Sequence, residues 1–274
     1  MARMSDTEDT NANRIGLGAA EIPVPQAAKP NHAFGVDPAR RHFYSLRQSR
    51  YEAIAQDVSD WAGTAARAGR PFRLLDVGCG TGVLLRYLEA KPHFADMEIS
   101  GANLVDRDIY KREIYQKFYV GDIMNGYDDI KSEYYDAVVC EQLLEHLPDI
   151  QTAAQLMARV LKPRGKLIVG VPIFLPPIHL LRIHVIPRLD RIFVPSKSRG
   201  HLQAFSRRSF VGLMTRHSGL RVLKVRGFRV ISGGLLKPLE HYRWWWRLNR
   251  RIGALVPAAC IEIQAIMEKP APGE

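Results

Sequence analysis

The stretch Arg73-Leu74-Leu75-Asp76-Val77-Gly78-Cys79-Gly80-Thr81-Gly82-Val83-Leu84-Leu85 leaves this chain few ways to fold. Leu74, Leu75 and Val77 make a short apolar run fit for a buried strand. Three glycines at alternate positions follow, and Val83, Leu84 and Leu85 open an apolar helix. The glycines let the backbone turn sharply with no Cβ in the way. A turn of this kind offers main-chain N–H groups at a helix N-terminus, where the dipole favours the anionic end of a ligand. Asp76, at the strand's end, is placed to meet a cationic part of that ligand. The turn is not the dinucleotide fingerprint, because branched Val83 stands where Gly or Ala is needed, and it is not a P-loop, because no Lys-Ser/Thr follows the glycines.

The rest of the chain alternates strands with helices around this turn, which predicts a parallel sheet covered on both faces. A helix is expected from His42 to Arg67, with Tyr51, Ile54, Val58 and Trp61 on one face. After the glycines comes a helix from Val83 to about Ala90, then a strand over Met97–Leu104 and a charged helix through Gln116. Phe118–Val120 and Tyr135–Cys140 read as further strands, followed by a helix over 149–161 and a strand over Lys166–Val171. Ser206 is placed as a helix N-cap, Phe205 and Phe210 as its hydrophobic staple, and Gly219 beyond the helix end. Leu220–Ile231 and Cys260–Glu268 read as the two final strands. Residues 1–38 lack periodicity and are expected to be a disordered tail, leaving 39–274 as one domain.

Two insertions interrupt the pattern. The first, at about 172–200, mixes prolines with large apolar residues and reads as a lid. The second, at about 232–258, carries Tyr242-Arg243-Trp244-Trp245-Trp246-Arg247 on a helix expected to open at Pro238. Tryptophans mixed with arginines suit a membrane interface, and equally an aromatic-lined soluble cap over a small substrate. The formal charge of +11 is concentrated here: between Pro172 and Gly253 seventeen basic side chains face only Asp190 and Glu240. That imbalance calls for an anionic partner such as phospholipid headgroups, nucleic acid or an acidic substrate, or else forms a plain solvated face. Cys79, Cys140 and Cys260 are widely spaced and form no CxxC, so a reducing cytoplasmic setting is the expectation, with a peripheral position on a membrane as its extension. The polar, acidic N-terminus has no signal-peptide pattern.

Asp76-x-Gly78-x-Gly80-x-Gly82, with Asp122 after the third strand and Glu141-Gln142-Leu143-Leu144-Glu145-His146 after the fourth, resembles the class I S-adenosylmethionine (SAM) dependent methyltransferases. The resemblance covers roughly residues 42–232 plus the last strand. It implies a Rossmann-like, doubly wound α/β fold, with a mostly parallel seven-stranded sheet whose last strand pair is antiparallel. SAM is the implied cofactor, held at the carboxyl ends of the strands. By similarity, Gly78, Cys79 and Gly80 hold its methionyl part through main-chain groups, with Asp76 and Gly82 also counted as cofactor-binding. Leu104 packs on the adenine, Asp122 accepts from the adenine amino group, and Ile123 supplies a neighbouring N–H. The ribose slot holds Asn103 where the family usually has an acid, which removes a charge-assisted bond. Asp106 either compensates or caps the following helix. Glu141 is counted with the cofactor contacts.

If the acceptor is a hydroxyl, His146 is the natural base near neutral pH and His201 a second candidate; Glu145 and His146 can also serve packing. Some relatives hold a divalent metal with Glu-x-x-Glu-His, but Gln142 stands at the matching first position here, so no metal is expected. The implied function is methyl transfer to a small or lipid-like acceptor, most simply a hydroxyl. An RNA methyltransferase and a catalytically silent SAM-binding protein are the alternatives.

Overall fold

The structure is a computed structural model that describes Leu46 and residues 49–106, 108–173, 203–230 and 234–274. The expected tail at 1–38, the start of the first helix, the body of the lid and His201 lie outside these residues. Seven strands form one sheet: β1 (Phe72–Val77), β2 (Met97–Asn103), β3 (Lys117–Val120), β4 (Tyr135–Glu141), β5 (Leu161–Pro172), β6 (Arg221–Phe228) and β7 (Glu262–Glu268). Their spatial order is β3-β2-β1-β4-β5-β7-β6. β1 to β5 pair in parallel, while β7 runs antiparallel to both β5 and β6. The chain is thus the mostly parallel α/β sheet with the antiparallel ending that its sequence implies.

Side-chain alternation along each strand feeds two cores. From β1, Leu74 enters the core beneath α1 (Ser49–Arg67) and α2 (Val83–Leu88), meeting Ile54, Val58, Leu84 and Leu85. Its neighbour Leu75 enters the opposite core with Met157 and Val160 of α3 (Gln151–Val160) and Phe210 and Met214 of α4 (Arg207–Ser218). Both leucines are fully buried, and removing either side chain would cost about 2–5 kcal/mol. α4 starts as its sequence predicts. The Ser209 N–H donates to Ser206 Oγ at 3.2 Å, the Ser206 N–H donates to Ser209 Oγ at 2.9 Å, and the rings of Phe205 and Phe210 meet at 5.5 Å. Gly219 ends it at φ 68°.

Two expectations fail. The segment after β2 is not a helix through Gln116; among its described residues the only helical turn is a 3-10 turn at Arg112–Ile114. Asp108 and Lys111 sit at φ 57° and 45°, in the left-handed region that a helix cannot contain. Long-range and side-chain bonds hold that path: the Tyr110 N–H donates to Thr81 O at 3.1 Å, and Arg112 forks onto Asp106 at 2.8 and 3.0 Å. Asp106 therefore caps no helix. Likewise Pro238 does not open the aromatic helix. It lies inside a 3-10 segment, Gly234–His241, and α5 (Arg243–Leu255) begins only after Tyr242.

Candidate active site

The ends of β1, β2 and β3 and the loop after β4 converge on a cleft of about 300 Å³. Of the residues expected to bind a ligand, Gly78, Asn103, Leu104, Asp122, Ile123 and His146 line it. Met124, Tyr127, Leu143, Leu147 and Pro148 line it too, with Val77, Ala102 and Gly121 at the strand ends. Leu143, Leu147 and Pro148 belong to the stretch after the fourth strand that carries the family resemblance, whereas Met124 and Tyr127 match no motif and look like any core residue.

Gly78 must be glycine twice over. Its φ is 69°, and a Cβ there would lie 2.9 Å from Leu143 Cδ2. At Gly80 (φ 55°) the nearest atom to a Cβ position is Gly78 O at 3.9 Å, so the tip of the turn borders open space. The turn does not present all its N–H groups outward: those of Gly78 and Cys79 donate to Ala102 O at 2.8 and 3.3 Å, and that of Gly82 to Cys79 O at 2.9 Å. The carbonyl oxygens of Cys79 and Thr81 are engaged as well, accepting from the Gly82 and Tyr110 N–H groups. Gly82 and Cys79 are buried behind the cleft. Asp76 lies beneath the turn, and burial pushes its carboxyl up to about 7 while the neighbouring Tyr115 hydroxyl pulls the other way.

Across the cleft, Asn103 Nδ2 donates to Val105 O at 3.0 Å, which holds Leu104 outward, 65% exposed. Asp122 Oδ1 accepts from the Met124 N–H at 2.9 Å and shapes the turn that carries Ile123. The Tyr127 hydroxyl donates to Gly121 O at 2.5 Å, and α3 fastens this loop through Arg159, whose Nη2 donates to Tyr127 O at 3.0 Å. Neither residue belongs to a motif that can be recognised in the sequence.

On the β4 side, His146 is exposed at the rim, in the 3-10 turn Leu144–His146, with Nε2 3.9 Å from Glu145 Oε1. Glu145 is buried, and among the described residues its carboxyl oxygens have no side-chain hydrogen-bond partner; burial raises its pKa, with backbone hydrogen bonding, His146 and Arg50 pulling it down. Gln203 docks on the same loop: its N–H donates to Glu145 O at 3.0 Å and its Nε2 to Leu147 O at 3.0 Å. Glu141 does not line the cleft. It pairs with Arg50 Nε at 2.9 Å and accepts from Gln264 Nε2 at 2.9 Å, and burial pushes its carboxyl up to about 7. Arg50 Nη1 continues to Glu262 at 2.9 Å, which also pairs with Arg229 at 2.8 Å. Among the described residues no cluster of three or more His, Cys, Asp or Glu could hold a metal ion.

A family model described as a methyltransferase domain matches residues 30–225. Curated relatives include the ubiquinone biosynthesis O-methyltransferases of Pectobacterium atrosepticum (28% identical over 99 residues, 34% of this chain and 39% of that protein) and of Shewanella sp. strain ANA-3 (31% over 101 residues, 34% and 40%). The one from Xanthomonas oryzae pv. oryzae is 28% identical over 147 residues, 52% of this chain and 56% of that protein. The chain thus spans between about two fifths and just over half the length of these relatives. Among solved structures, a geranyl diphosphate methyltransferase in complex with SAM aligns with a TM-score of 0.49 at 14% identity, over 80% of this chain and 85% of that one. A SAM-dependent methyltransferase from Archaeoglobus fulgidus aligns at 0.47 and 14% identity, over 82% and 98%.

The residues present fit SAM. The glycine turn leaves room at Gly80, the Asp76 carboxyl at its base suits an ammonium, and Asn103 offers a ribose both an acceptor and a donor. Leu104, Ile123, Met124 and Leu147 give the apolar walls that a flat adenine needs. With the family model matching over most of the chain, the protein belongs to the class I SAM-dependent methyltransferases.

Proposed function

We propose that this methyltransferase acts on a hydroxyl oxygen of a small, lipid-like molecule, with His146 as the general base. The observation that carries the reading is the pairing at the cleft rim of an exposed imidazole with a buried carboxyl, 3.9 Å apart. When bound, SAM supplies an electrophilic methyl group on a sulfonium. This chain's residues do the rest. Asn103, Leu104, Asp122 and Ile123 hold the nucleoside part, and the glycine turn with Asp76 holds the ammonium end. Leu143, packed against Gly78, keeps the turn and the post-β4 loop in one position, and such positioning supplies much of the acceleration in a displacement reaction. His146 accepts the proton of the hydroxyl, and the imidazolium so formed is stabilised by Glu145, whose burial strengthens the attraction. The names of the relatives support an oxygen acceptor.

The test uses the full chain with methyl-labelled SAM and a lipid extract. Label is expected in a solvent-extractable product with an ether linkage. His146→Gln should lower turnover by about 10²–10⁴-fold while leaving affinity for S-adenosylhomocysteine within a factor of two. Label appearing only on amines, or full turnover by the variant, overturns the reading.

A further inference from the structure

α5 presents two different faces. Trp245, Asn249 and Gly253 turn inward onto β6, so closely that a Cβ on Gly253 would lie 2.1 Å from Gly227 O. Arg250 sits at the flank, its guanidinium 5.2 Å from the Phe228 ring and 5.5 Å from the Trp246 ring. The helix is therefore locked in rotation. At 3.6 residues per turn, its outward side carries two adjoining rows. One is Arg243, Arg247 and Arg251, all exposed. The other is Trp244 (55% exposed), Leu248 (39%) and Leu255 (82%), continued by Val256 (50%). No acidic residue occurs between Arg243 and Ile261, and among the described residues no carboxylate pairs with Arg247 or Arg251.

We infer that this face of α5 seats the protein on an anionic phospholipid surface. A row of guanidiniums beside a row of tryptophan and aliphatic side chains matches the layering of a bilayer edge, phosphates above and acyl chains below. Nucleic acid is the poorer match, since Leu248, Leu255 and Val256 can neither stack on bases nor read their edges. No helix among the described residues is long and apolar enough to cross a membrane, so the contact is a surface one. Its place in the fold is apt. Arg250 Nη1 reaches Ser49 O at 3.5 Å, and the next residue, Arg50, pairs with Glu141 at the end of β4, the strand that leads into the His146 loop. The inference stands apart from the nature of the methyl acceptor, because its readout is binding.

The 274-residue chain is sedimented with vesicles of phosphatidylcholine alone or mixed in equal parts with phosphatidylglycerol. Binding to the mixed vesicles only, weakened by salt, is expected. Arg247→Gln/Arg251→Gln should bind roughly thirtyfold more weakly, and Trp244→Ala severalfold more weakly, with circular dichroism and S-adenosylhomocysteine affinity unchanged. Failure of the parent protein to bind mixed vesicles at low salt overturns the inference, as does a double variant that binds like the parent. Salt-sensitive binding of an RNA duplex without vesicle binding overturns it too, and assigns the face to nucleic acid.

Discussion

The two sides of β4 are built from opposite materials. Toward β1, β2 and β3 the sheet's edge is glycine turns, main-chain hydrogen bonds and apolar side chains around an open cleft. Toward β5, β7 and β6 it is a buried chain of charges, Arg229–Glu262–Arg50–Glu141, tied through Gln264 to Arg226, which pairs with Asp57 of α1 at 2.6 Å. A ligand with charges of its own needs a wall that offers a few acceptors and much shape. A joint between a helix and three strands that must not slip can be held by opposite charges paired out of water, where their attraction is strongest. The contrast separates a region that binds from a region that holds.

The comparison can be broken first on the holding side. Arg50→Met strands two buried carboxylates and should cost about 3–5 kcal/mol in urea unfolding, and adding Glu141→Gln should recover part of it. A loss under about 1 kcal/mol would make the network ornamental. On the binding side, Gly78→Val forces a branched residue to φ 69° against Leu143 and should weaken S-adenosylhomocysteine binding on the order of a hundredfold by calorimetry. Asp76→Asn sharpens the boundary between the two. Because burial holds the folded carboxyl up at about 7, against 3.8 in its ordinary state, the folded protein keeps a proton that the unfolded chain has lost, and stability declines as pH rises from about 4 to 7. The variant lacks that decline, so its melting temperature should exceed the parent's by a few degrees at pH 8 and match it near pH 4, while ligand affinity falls. Equal melting curves at both pH values would place Asp76 among ordinary solvated acids.

What could be read in the sequence divides along the same line. The alternation of strands and helices, the glycine turn and the N-cap and staple of α4 are written in neighbouring residues, so periodicity and turn chemistry reveal them, whereas the antiparallel ending follows only from the family resemblance. The holding network joins residues far apart, Glu141 to Gln264 and Arg50 to Glu262, and each alone looks like a polar surface residue. That is why Glu141 reads as a ligand contact in the sequence and lies in a buried ion pair in the fold. The segment after β2 misleads for a related reason. Its charged composition favours a helix locally, yet the Tyr110–Thr81 bond and the Asp106–Arg112 fork decide its path. His201 and the lid fall outside the described residues, and Asp122 and Ile123 line the cleft where the motif puts them.

That same path gives the third glycine of the motif a separate meaning. A Cβ on Gly82 would crowd Tyr110 O at 3.1 Å, and the Tyr110 ring is itself anchored by its hydroxyl to Glu89 at 2.9 Å. Replacing Gly82 would therefore first unseat the downstream strap and only afterwards disturb whatever occupies the cleft. Of three residues that a pattern search treats alike, one guards the empty space, one meets the opposite wall, and the last is a spacer for its own polypeptide.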